Sequence, residues 1–257
     1  MVSLSGTVQS LRRARPRVLA AVPRPGKATP QPGKVMGRLG KVTPRLGPAL
    51  LPLAVALCAA TPLAAQDTSV IERAAASRAR GAHDAPVLVF EIADFQCPYC
   101  ARFSLDVFPR LDSAYVRSGK VQWVFVNLPL TSLHPRAWAA AEAALCAGGV
   151  ADGFWTFHDR LFAEQSQWAE AENPHELFVR YAREAGIPTE PFEACILGDD
   201  VVSLLLKDVV FAAAARVSGT PTFVIDQETV VVGLKSFEEW SALLDEAIRR
   251  KAGTDQR

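Results

Sequence analysis

Two cysteines separated by two residues are the side chains of this chain with the strongest capacity for chemistry. They enclose the tetrad Cys97-Pro98-Tyr99-Cys100, which follows the largely apolar run Val87–Ile92 where a strand would lead into a helix. Two sulfurs at this spacing can form and break a disulfide without a large movement of the backbone. The pattern therefore predicts redox chemistry.

The two sulfurs should differ in reactivity. Cys97 would occupy the first turn of the helix, where unpaired N–H groups and the helix dipole favour a thiolate and lower the pKa below about 8.5. Cys100 would lie one turn further, shielded, and would resolve a mixed disulfide by attacking the sulfur of Cys97. Pro98 suits a first helical turn because it has no N–H to leave unpaired, whereas Tyr99 adds an aromatic face without positive charge.

The elements that position these cysteines alternate between strand and helix. Two buried strands joined through a helix should lie parallel with a right-handed crossover, and a terminal hairpin should add antiparallel edges. A last amphipathic helix, capped by Ser236, closes the chain. The predicted order is a helix over 67–80, a linker over 81–85, strands over 86–92 and 121–128 around a helix over 99–118, strands over 222–226 and 229–233, and a helix ending at Arg250.

A long helical block separates the second strand from the hairpin. It covers residues 129–218, about 90 residues, which is far more than a connection needs. Its predicted helices cover 134–147, 154–164, 174–185 and 199–217, with Cys195 in a short turn. Its aromatic residues recur at helical spacing, which favours core positions over a cofactor site. We expect this block to pack as an all-helical subdomain.

The first 66 residues have a composition that cannot build a core. They contain ten Lys and Arg residues, no acidic residue, and half of the 18 prolines. The apolar stretch Ala49–Ala60 precedes the small residues Ala64 and Ala65, which is typical of a secretory signal peptide. At 12 residues it is short for a membrane span. We expect a basic leader and signal peptide over residues 1–65, with an uncleaved membrane anchor as the alternative.

Met36 offers a second interpretation of the leader. A start at this residue would give a signal peptide of ordinary length over about residues 36–65, and residues 1–35 would then not be translated. Export in either case would place the protein in the periplasm or outside the cell.

Without residues 1–65 the chain would be strongly acidic. It would keep 18 basic residues against 27 acidic residues, a net charge of −9 on 192 residues. Such a charge gives no electrostatic basis for binding nucleic acid or anionic lipid. Four cysteines would remain, and an even number behind an export signal is typical of an oxidising compartment.

Three segments together resemble the DsbA-like family of thiol-disulfide oxidoreductases. They are the strand end with its cysteine tetrad over 90–100, the helical segment Phe154–His158, and the segment Val217–Phe223 with its Gly-Thr-Pro-Thr-Phe sequence. The resemblance covers about residues 67–250. It implies a thioredoxin-like α/β fold with a mixed sheet over 86–128 and 219–252, a helix and linker over 66–85, and the helical insertion over 129–218.

The same resemblance implies roles for three further residues. Pro221 would form a cis peptide bond beside the sulfurs, and Thr220 would offer its backbone to an extended substrate segment. The alternative is a trans proline that begins the following strand. Glu91 corresponds to a buried acid beneath the disulfide, whose raised pKa would let it take the proton of Cys100. It could instead be an exposed charge at the strand end, and both interpretations remain open.

Cys146 and Cys195 require a separate interpretation. Both lie in the helical block among apolar neighbours, 49 positions apart, and we expect a structural disulfide between them. The alternative is a second redox pair that exchanges with Cys97 and Cys100. A zinc site at the tetrad is disfavoured, because no second C-x-x-C motif exists and the four His residues lack ligand spacing. We predict no metal and no cofactor.

The predicted function is an exported, monomeric thiol-disulfide oxidoreductase that introduces disulfides into thiol-containing client proteins. The resemblance implies reoxidation by a membrane partner. Because Tyr99 stands where the most oxidising family members carry a His, we expect a somewhat less oxidising disulfide. The alternatives are a reductase or isomerase using the same site, a peptide-binding chaperone without catalysis, and a relative of kappa-class glutathione transferases. The second cysteine and the export signal weaken the last of these.

Overall fold

The computed structural model describes residues 69–254. The predicted leader and signal peptide over residues 1–65 lie outside the described residues. Within 69–254, the chain builds one mixed sheet, helices on both of its faces, and a run of helices between the third and fourth strands.

Five strands form the sheet in the order β1-β3-β2-β4-β5. The central pair, β2 (Val87–Ala93) and β3 (Val121–Asn127), is parallel, as predicted from the helix between them. Strand β4 (Thr222–Ile225) runs antiparallel to β2, and β5 (Thr229–Val232) forms a hairpin with β4. The central strands are apolar almost throughout because helices cover both faces.

The first strand was not predicted. The sequence suggested a helix over 67–80, but α1 (Val70–Ser77) ends earlier, and β1 (Ala79–Arg80) pairs antiparallel with β3. Arg80 is held there by Asp112, which accepts hydrogen bonds of 2.8 and 2.9 Å from its guanidinium group. A strand of two residues has no periodicity, and its partners lie far away along the chain.

The helix after the cysteine tetrad is continuous but not uniform. Its segments are α2 (Pro98–Arg102), π1 (Phe103–Val107), α3 (Phe108–Leu111) and π2 (Asp112–Val116), where π1 and π2 have wider turns. Pro109 has no N–H to donate to the carbonyl of Leu105, which is the physical reason for the first irregularity. The apolar face over 103–115 is buried as predicted.

Six helices connect β3 to β4. Two features differ from the sequence expectation: α6 was not predicted, and Cys195 lies within α8 rather than in a turn. The helix around Cys195 is short and begins behind Pro188, so local sequence alone does not fix its bounds. The helices are α4 (Ala137–Ala151), α5 (Phe154–Ala163), α6 (Gln165–Ala169), α7 (His175–Glu184), α8 (Thr189–Leu197) and α9 (Val202–Ala214).

The last helix, α10 (Phe237–Thr254), closes the second face of the sheet. Ser236 and Glu239 form a reciprocal capping interaction at its start, with hydrogen bonds of 2.8 and 3.2 Å. Trp240 is fully buried and packs edge-on against Phe223 of β4. Phe103, in the helix that carries the cysteines, packs against both rings, so the hairpin of β4 and β5 is held against this helix and α10.

Candidate active site

Cys97 lies at the junction between β2 and α2. A tight turn after β2 is closed by a 3.0 Å hydrogen bond from the Cys97 N–H to the carbonyl of Asp94. Cys97 is the residue that caps α2, and its own carbonyl accepts the first helical hydrogen bond, from Ala101, at 3.1 Å. The strand end therefore places this sulfur at the tip of the helix, where the dipole favours negative charge.

The surroundings of Cys97 stabilise a thiolate. They lower its pKa to about 5, and the largest cause is a hydrogen bond from the Cys100 thiol. Burial acts in the opposite direction, while the side chain of Thr220 and the backbone N–H groups of Cys100 and Tyr99 lower the pKa further. Cys97 is a thiolate at neutral pH in the dithiol form that the structure shows.

Cys100 has the opposite character. It lies one turn into the helix and is completely buried. Burial raises its pKa well above the ordinary value, and the adjacent Cys97 raises it further. The pair thus combines a nucleophilic thiolate with a protonated thiol behind it, which is the arrangement required for attack at one sulfur and resolution by the other.

A loop before β4 faces the sulfurs. The Thr220–Pro221 peptide bond is cis, and the carbonyl oxygen of Thr220 lies 3.4 Å from Cys97 Sγ, where it accepts a hydrogen bond from Cys97 when this thiol is protonated. The Thr222 hydroxyl donates to the carbonyl of Gly219 at 2.7 Å, and the Gly233 N–H donates to the carbonyl of Pro221 at 2.9 Å. The loop is therefore fixed from both sides while Thr220 faces Cys97.

Glu91 lies inside the protein rather than at an exposed strand end. It is in the middle of β2 and accepts a 2.7 Å hydrogen bond from the indole N–H of Trp123. Burial raises its pKa to about 8, although the bond from Trp123 acts against this. When it is ionised, its charge raises the pKa of Cys100. Glu91 is therefore a buried carboxyl group with a pKa near neutral that acts electrostatically on Cys100.

A family model described as thioredoxin matches residues 73–246, more than half of the chain. The chain belongs to the thioredoxin family. Its relatives agree with a DsbA-like assignment. It is 32% identical over 148 residues to the probable disulfide bond formation protein D of Bacillus anthracis, covering 57% of this chain and 68% of that protein. The predicted family resemblance is confirmed.

A second group of relatives consists of much longer proteins. The chain is 36% identical over 147 residues to the Na(+)/H(+) antiporter NhaA 3 of Salinispora tropica, covering 57% of this chain. It spans 21% of the length of this antiporter, and the same share of a related one from Salinispora arenicola. The similarity concerns one segment of those proteins.

Solved structures establish the fold of the DsbA-like chain. Oxidised BdbD from Bacillus subtilis superposes with a TM-score of 0.61 at 24% identity, covering 67% of this chain and 92% of that one. The alpha-DsbA1 protein of Wolbachia pipientis gives a TM-score of 0.61 at 22% identity, with coverages of 69% and 93%. The predicted thioredoxin-like α/β class with a mixed sheet and flanking helices is confirmed.

The remaining predicted residues of the DsbA-like site occupy different parts of the fold. Tyr99 lies in the first turn of α2 and is 57% exposed, so its side chain is on the surface. Pro98 begins α2. Cys146 of α4 and Cys195 of α8 form a disulfide with an S–S distance of 2.04 Å. Within residues 69–254, no cluster of three or more His, Cys, Asp and Glu side chains is arranged to hold a metal.

Three polar residues organise the turn before Cys97 in the DsbA-like chain. Asp94 is buried and accepts hydrogen bonds from the Gln96 N–H at 2.7 Å, the Leu130 N–H at 2.8 Å and His134 Nδ1 at 2.9 Å. Gln165 of α6 donates to the carbonyls of Phe95 and Cys97. The sequence gives no signal for the roles of His134 and Gln165, which approach from the helical insertion.

Proposed function

We propose that this protein is an exported thiol-disulfide oxidoreductase that introduces disulfides into client proteins through Cys97 and Cys100. The observation that carries the proposal is the asymmetry of the pair. Its outer sulfur has a pKa of about 5 beside the Thr220 carbonyl, and its inner sulfur has a pKa raised by burial. The name of the Bacillus anthracis relative, a probable disulfide bond formation protein, favours the oxidising direction.

The first step would begin from the oxidised pair. A client thiolate attacks the sulfur of Cys97, a client–Cys97 disulfide forms, and the Cys97–Cys100 bond breaks. Cys100 leaves with the electron pair as a thiolate and takes up a proton. Glu91 is the proposed proton donor, because its pKa of about 8 keeps it protonated at neutral pH and it acts electrostatically on Cys100.

The second step would release the client. A second client thiolate attacks the client sulfur of the mixed disulfide, and Cys97 leaves as a thiolate. The client has then lost two electrons and two protons in total and gained one disulfide, while the protein has gained a dithiol. Because Cys97 is stabilised as a thiolate, it is a good leaving group and the reduced form is favoured, which makes the disulfide an oxidant.

The loop of Thr220 and Pro221 is the proposed contact for clients. The carbonyl of Thr220 faces the sulfur of Cys97. A client segment bound along this loop would therefore bring the client's sulfur close to Cys97. Recognition through backbone groups gives affinity without requiring a particular sequence. This supports action on many thiol-containing proteins.

Export and reoxidation belong to the same proposal. The Cys146–Cys195 disulfide and the signal-like segment before residue 66 support an oxidising compartment, periplasmic or extracellular. The reduced Cys97–Cys100 pair would pass its electrons to a membrane redox partner, and the protein would act as a monomer. Among the helices of the described part, none has the length and apolarity that crossing a bilayer requires.

The decisive experiment measures the reduction potential and client oxidation together. We expect equilibration with glutathione to give a potential nearer to about −120 mV than to about −270 mV, which is typical of a thioredoxin-like reductase. Oxidation of a reduced, unfolded ribonuclease should be lost in Cys97→Ala. A potential near the lower value would indicate a reductase. If Cys97→Ala still oxidises the client, the reaction does not use Cys97.

A further inference from the structure

A glutamine of the helical insertion contacts the backbone on both sides of the active-site turn. The side-chain amide of Gln165, the first residue of α6, donates a 2.7 Å hydrogen bond to the carbonyl of Phe95. The same nitrogen donates a 3.1 Å hydrogen bond to the carbonyl of Cys97. These contacts join residues 70 and 68 positions apart, so they exist because the insertion packs against the turn.

The turn has a second connection to the same part of the insertion. The side-chain oxygen of Gln96 accepts a 2.7 Å hydrogen bond from the N–H of Arg136, just before α4. The guanidinium group of Arg136 in turn donates to the carbonyl of Ala171, after α6, at 2.9 Å. The backbone around Cys97 is therefore held from outside by groups of the insertion.

The bond to the Cys97 carbonyl has an electrostatic consequence. This oxygen belongs to the residue that carries the thiolate. Its partial negative charge repels the negative charge on the sulfur and so destabilises the thiolate. Ala101 already donates to it from within the helix, and Gln165 supplies a second donor from outside. The two bonds also fix the peptide plane between Cys97 and Pro98, at the start of the helix whose Tyr99 and Cys100 N–H groups stabilise the thiolate.

We propose that Gln165 is a positioning residue that holds the Cys97 backbone in the orientation in which its thiolate is stabilised. The helical insertion then stabilises the Cys97 thiolate through this one side-chain amide. The inference rests on the proposed function, since it assigns Gln165 to the exchange reaction of Cys97 and Cys100.

Three variants of the full chain test it. Gln165→Met keeps the length of the side chain and removes both donated bonds. Gln165→Glu keeps the shape but brings a carboxylate toward two carbonyl oxygens and near the thiolate. Gln167→Met is the matched control, because Gln167 lies on the same short helix, is exposed, and its amide contacts Glu164 rather than the turn.

The measurement is a pH titration of thiolate absorbance in the reduced proteins, together with the glutathione equilibrium. We expect the pH at which half of Cys97 is ionised to rise by about half a unit to one unit in Gln165→Met. The rise should be larger in Gln165→Glu, and Gln167→Met should match the natural protein. The disulfides of both Gln165 variants should become less oxidising in the same order.

A Gln165→Met protein that is folded by circular dichroism and titrates like the natural protein would overturn the inference. If Gln165→Met does not fold, the isosteric Gln165→Glu decides by the same titration. Failure of both to fold would also overturn it, because Gln165 would then act on stability rather than on the nucleophile. A natural protein that does not oxidise clients would instead refute the proposed function.

Discussion

The indole N–H of Trp123 donates a 2.7 Å hydrogen bond to the carboxyl group of Glu91 across the two central strands of the sheet. The other carboxyl oxygen of Glu91 has no hydrogen-bond partner among the described residues. One donor does not offset the loss of water around a carboxylate, so burial dominates and the pKa rises to about 8. The sheet thus keeps a proton on the buried Glu91 at neutral pH.

This proton should make the stability of the oxidised protein depend on pH. Between the unfolded pKa of about 4.5 and the folded pKa of about 8, the folded state holds a proton that the unfolded state has released. Stability should therefore fall by a few kcal/mol as the pH rises through this window. Glu91→Gln should reduce this loss of stability with rising pH. Urea unfolding of the oxidised form at several pH values measures the free energy of unfolding of both proteins. An equal slope in both proteins would show that Glu91 ionises normally.

Glu91→Gln should also slow the exchange reaction. The amide cannot give a proton to the Cys100 thiolate or take one from its thiol, and we expect a loss of about tenfold to a hundredfold in client oxidation. Stopped-flow mixing of the oxidised protein with a reduced client measures it. Glu142→Gln is the matched control, because Glu142 is another buried carboxyl with a raised pKa, located in α4. Equal rates for both variants would remove Glu91 from the mechanism.

The difference between the two sulfurs should appear in alkylation. With a pKa of about 5, Cys97 should react with iodoacetamide at a rate that changes little above about pH 6 and decreases below about pH 5. Cys100 should remain unmodified under native conditions, since it is buried and protonated. Peptide mass spectrometry after timed quenching identifies the modified residue. Modification of Cys100 before Cys97 would reverse the assigned roles.

Thr220 should contribute through its hydroxyl as well as its backbone. The hydroxyl is buried and has no hydrogen-bond partner in the described part of the dithiol form, so it is available to donate to a Cys97 thiolate. Thr220→Val keeps the shape and should raise the Cys97 midpoint by up to about one unit. Thr220→Ser, which retains the hydroxyl, should titrate like the natural protein. If Val and Ser variants titrate alike, the hydroxyl plays no part.

The sequence predicted the parts of the site that depend on local pattern. The apolar run before Cys97 and the helical period after it place the two sulfurs correctly, because strand and helix there follow from burial and spacing. The strand of Ala79 and Arg80 was missed, since its stability comes from β3 rather than from its own residues. Gln165 was missed for a related reason: its function is a contact across 68 positions, which a single sequence does not record.

The disulfide between Cys146 and Cys195 should stabilise the fold without taking part in exchange. It closes a segment of 49 residues and joins α4 to α8, so replacing both cysteines by alanine should cost about 4 kcal/mol in the chain-entropy model. Urea unfolding of the double variant, with Cys97 and Cys100 intact, measures the loss. Client oxidation at a temperature where the variant is folded should be unchanged, because the nucleophile, its partner and the Thr220 loop are all retained. A folded double variant that no longer oxidises clients would instead support the second redox pair that the sequence left open.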